Sequence, residues 1–163
     1  MNKLFIGLFF ILAQSSVVYS QSGINEITFN FRHSLRIPDH HVTIHIENYR
    51  HEITVKVKSE PLKGYEKEWG HTRIDTTYKI TADVFQQLTQ SVLLIDGNSI
   101  IKRLNDRGMD GTVCEIKFGS FQNAVSYKFW SPQYNTKQRN LDSFLDACKL
   151  IIRTGKLDPK EIL

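Results

Sequence analysis

Residues 42–58 read VTIHIENYRHEITVKVK, and this stretch decides the fold. Val42, Ile44 and Ile46 alternate with Thr43, His45 and Glu47. Beyond Asn48-Tyr49-Arg50-His51 the alternation resumes, with Ile53, Val55 and Val57 set against Thr54, Lys56 and Lys58. Successive side chains of a strand leave opposite faces of a sheet, so a period of two marks two half-buried strands. The short polar link between them makes an antiparallel hairpin. The simplest register pairs Ile46 with Ile53, Ile44 with Val55 and Val42 with Val57, which puts every apolar side chain on one face. It also sets Glu47 against Glu52, a mildly repulsive pair.

The same period recurs outward from the hairpin. Ile27, Phe29 and Phe31 precede it, ended by Leu35 to Asp39. Ile74, Thr76, Tyr78 and Ile80 follow it, after a long connection, SEPLKGYEKEWGHT (59–72), whose Pro61, Gly64 and Gly70 oppose regular structure. Cys114, Ile116 and Phe118, then Val125, Tyr127 and Phe129, form a second alternating pair around Gly119-Ser120.

Elsewhere the period lengthens. Phe85, Leu88, Val92 and Ile95 recur at helical spacing, with Thr81 as cap, Asp83 in the first turn and Asp96-Gly97 as the stop. Residues 99–104 (SIIKRL) read as a short helix. A last helix spans about Leu141 to Thr154, buries Leu141, Phe144, Leu145, Cys148, Ile151 and Ile152, is capped by Asn140, and ends at a left-handed Gly155. The expected architecture is α+β: an antiparallel sheet of about six strands with two main helices packed on one face, in the order β-β-β-β-α-β-β-α.

The N-terminus sets the compartment. Lys3 precedes the apolar run LFIGLFFIL (4–12), and a small, polar tail ends at Ser20. That is the layout of a secretory signal peptide over residues 1–20, leaving one α+β domain over 21–163. The run is shorter than the roughly 20 apolar residues a spanning helix needs, so no stable membrane insertion is expected after cleavage. The expected location is periplasmic or extracellular. The lack of an Asn-x-Ser/Thr acceptor fits a bacterial origin.

The charge balance, 21 Lys and Arg against 17 Asp and Glu, is mild. The cations are scattered among acids, as in KGYEKE (63–68), so no nucleic-acid stripe is expected. Cys114 and Cys148 both face the core, and in an oxidising compartment they are expected to form a disulfide. His33, His40, His41, His45 and His51 cluster in sequence. His41 and His45 share a strand face, but their spacing of about 13 Å is too wide for one ion, so no metal site and no cofactor are expected. Gly-x-Ser-x-Gly, a glycine-rich phosphate loop and His-Glu-x-x-His are all absent. The candidate contacts for a partner are loop aromatics: Tyr65 and Trp69 in the long connection, and Trp130 and Tyr134 beside Pro132. These features point first to a non-enzymatic domain that binds another protein, of inhibitor or immunity type. A small envelope hydrolase with a dispersed site, and a metal or small-ligand carrier using the histidine-rich hairpin, are the alternatives.

Overall fold

The computed structural model describes residues 23–35, 39–50, 52–62, 73–102, 111–120 and 122–163. The expected leader therefore lies outside the described residues, as do Tyr65 and Trp69.

Every alternating run becomes a strand: β1 (Glu26–His33), β2 (His41–Tyr49), β3 (Glu52–Glu60), β4 (Ile74–Lys79), β5 (Thr112–Ser120) and β6 (Asn123–Trp130). They form one six-stranded sheet in the order β4-β3-β2-β1-β5-β6. All its pairings are antiparallel. The β1 positions Ile27, Phe29 and Phe31 are fully buried at its centre.

The hairpin register differs from the expected one by two residues. Ile46 pairs with Val55, Ile44 with Val57 and Val42 with Ser59. A shift of two leaves each apolar side chain on its original face, so burial is kept while partners change. The strands also run further toward the turn: Tyr49 pairs with Glu52, and Arg50 takes a positive φ of 50° in the tight link. Glu47 now faces Thr54, and Glu52 is free to pair with Lys79 at 2.9 Å, so the expected acid–acid clash does not occur.

Two main helices cover the apolar face, α1 (Ala82–Leu93) and α3 (Asp142–Thr154); each is followed by a short helix, α2 (Gly97–Ile101) after α1 and α4 (Pro159–Ile162) after α3. Thr81 caps α1 by accepting from the Val84 amide. Asp96 does more than end that helix: its carboxylate accepts from the Asn98 and Ser99 amides and starts α2. α3 crosses the sheet. Its Phe144 ring meets Phe129 of β6 edge-on at 4.7 Å, and the Thr154 carbonyl accepts from the Tyr78 hydroxyl of β4.

Both ends of α3 depart from expectation. Leu141 occupies the cap position with no side-chain bond, while Asn140, at φ 54°, turns its amide to the Ser99 carbonyl at 3.3 Å. Gly155 has an ordinary φ of −69°; the left-handed residue is Lys156, at 58°. Glycine at 155 serves space instead, because a Cβ there would lie 2.6 Å from Ile44 Cδ1.

Cys114 and Cys148 meet in the core as their patterns require, but the expected disulfide is not formed. Both are free, fully buried thiols. Burial, then the Cys114 thiol beside it, pushes the Cys148 pKa well up. Thiol–disulfide exchange needs a thiolate, so this environment slows exchange at Cys148.

Candidate functional site

The outer face of the sheet carries no helix among the described residues, and at its β6 end an aromatic corner stands out. Trp130 closes β6 and pairs with Val113, which pairs with Arg32, then His41, then Glu60 across the sheet. This last row of the outer face therefore runs from a tryptophan to an arginine to a histidine. Arg73 adds an ion pair with Glu60 at 2.8 Å.

Tyr134 follows on the link to α3, 55% exposed, with its ring 6.2 Å from that of Trp130 at 65°. The link is built rather than loose. Ser131, Asn135 and Asn140 take positive φ, turning the chain sharply three times. The Tyr134 amide bonds to the Ser131 carbonyl, and Thr136 Oγ1 donates to the Pro132 carbonyl. Gln133 and Thr112 exchange side-chain bonds at 3.2–3.3 Å, tying the link to β5.

At its centre lies Arg139, only 4% exposed. Its Nη1 donates to the Ser131 and Tyr134 carbonyls, and its Nη2 to the Trp130 carbonyl at 2.8 Å. A buried guanidinium is costly unless its donors are satisfied, and its planar fork suits several carbonyls at once. Gly111 allows the close approach of β5: at φ 144°, a Cβ there would lie 2.5 Å from Ser131 Oγ and 2.8 Å from Trp130 Nε1. The result is a rigid mount for two large aromatics, with an arginine in the same row. No motif announces Arg139; only the folded chain shows what it holds.

Of the sequence candidates, Trp130 and Tyr134 are thus brought together. His41 and His45 are not: His45 sits in the row of Thr28 and Lys56, His41 in that of Arg32 and Glu60. Among the described residues, no group of three or more His, Cys, Asp or Glu is placed to hold a metal ion. His40 has its pKa lowered by burial, then by Arg32 and His41.

One cluster resembles catalytic chemistry. The Thr28 hydroxyl lies 3.0 Å from His45 Nδ1 and 3.5 Å from Glu26 Oε1. Acyl transfer would need backbone amides free to receive an oxyanion, in a site that excludes water. Here β1 pairs on both sides, with β2 and β5, and the His45 and Glu26 side chains are 34% and 41% exposed. The adjoining dent, lined by Glu26, Lys117, Gly119 and Ala124 among others, has no interior space for a water molecule. The trio is a surface hydrogen-bond cluster. No protein-family model matches the chain, and no curated protein is significantly similar to it.

Proposed function

We propose that this is an exported, non-enzymatic domain that binds another protein through the Trp130–Tyr134 corner and the outer row leading to Arg32. The exposed Tyr134, fixed against Trp130 by the buried Arg139, carries this reading. Tryptophan, tyrosine and arginine dominate the energetic centres of protein interfaces. Aromatics held rigid before binding lose little conformational freedom on association. The basic, apolar and small-residue layout of residues 1–20 supports export.

The test is affinity capture from bacterial envelope extracts with wild-type and Tyr134→Ala baits. The reading expects a stoichiometric protein on the wild type, with its recovery lost or sharply reduced on the variant. No partner on the wild type, or equal recovery on both, overturns it.

A further inference from the structure

We propose that β6 is a dimerisation edge, on which a second copy of this chain pairs antiparallel about a two-fold axis at Ser126 and merges the two sheets. β6 is the outermost strand on its side. The Ser131 amide donates to the Thr112 carbonyl at 2.7 Å, which fixes the alternation of backbone groups along the strand. Odd-numbered residues aim their N–H and C=O at β5; Ala124, Ser126, Lys128 and Trp130 aim theirs away. Arg139 occupies the Trp130 carbonyl, closing that end. The outward backbone groups of Ala124, Ser126 and Lys128 have no partner among the described residues.

A two-fold axis at Ser126 uses all of them. Ala124 then faces Lys128 of the second copy, Ser126 faces its own counterpart, and each pair exchanges both N–H···O bonds. Centring on Val125 leaves Lys128 opposite a residue beyond the strand; centring on Tyr127 demands the Trp130 carbonyl that Arg139 holds; centring on Lys128 sets two ammonium groups together. On the helix side, the chosen register lays Val125, 47% exposed, against the half-buried Tyr127 of the second copy, so apolar surface is covered as the backbone groups are satisfied. β6 carries a single charge and no proline, whereas edges that avoid pairing are short or charged. The opposite edge, β4, is shorter, and its outward backbone groups include those of Asp75 and Lys79, whose side chains already engage Lys58 and Glu52 of β3.

Sedimentation equilibrium over a concentration series tests this on the wild type, Ala124→Lys and Ala124→Glu. Position 124 is exposed, so the circular dichroism spectrum should be the same for all three. The wild type should sediment at twice the mass of its monomer. Ala124→Lys sets like charges opposite each other at both ends of the pairing and should weaken the dimer roughly tenfold. Ala124→Glu meets Lys128 and should strengthen it. A monomer at every concentration, or a dimer that neither substitution moves, overturns the proposal.

Discussion

Arg139 Nη2 donates to the Trp130 carbonyl at 2.8 Å, so the last residue of β6 and the loop beyond it are clamped by one buried guanidinium. Arg139→Met keeps much of the apolar stem but leaves the Trp130, Ser131 and Tyr134 carbonyls without this donor. The expected cost is roughly 2–4 kcal/mol, read as a lower urea midpoint with an unchanged slope. Hydrogen exchange should quicken first across residues 131–140. A variant as stable as the wild type would show that the clamp is dispensable.

Gly155→Ala separates two roles of glycine. At φ −69° alanine is sterically welcome, and its helical propensity would favour it. The Ile44 side chain is in the way, so the substitution should destabilise by about 1–3 kcal/mol through overpacking. Pairing it with Ile44→Val should recover part of the loss in thermal melts; no recovery would place the strain elsewhere.

Tyr78 donates to the Thr154 carbonyl near the end of α3, and burial raises its pKa above the usual value of 10.0. The unfolded phenol therefore ionises first. Its contribution is complete below pH 10 and is lost as pH rises through the folded pKa. Tyr78→Phe should cost about 1 kcal/mol at neutral pH and flatten the alkaline fall in stability. An unchanged alkaline slope would contradict the assignment.

The free thiols give a counting experiment. Unfolded without reductant, the protein should show both sulfhydryls to a thiol reagent, whereas the native protein should react only at the rate of unfolding. A count of zero in the unfolded chain would mean that Cys114 and Cys148 are bridged.

Strands and main helices were legible because each carries a period that burial enforces. What stayed illegible has specific causes. Apolar alternation is blind to a slip of two, so the β2–β3 register is fixed by the tight link at Arg50, whose positive φ no pattern declares. Gly155 and Asn140 read in the sequence as local backbone devices, but tertiary contacts with Ile44 and Ser99 claim them. Trp130 and Tyr134 stood out as loop aromatics, yet Arg139, which orients them, is a single charge in a polar stretch and acts only once the chain has turned three times around it.

Hydrogen exchange on the captured complex tests the central claim most directly. Binding at the aromatic corner predicts slowed exchange at Trp130 to Tyr134 and along the outer row through Val113 and Arg32, with α1 and α3 unchanged. Protection confined to the helical face, with the corner exchanging as in the free protein, would contradict it.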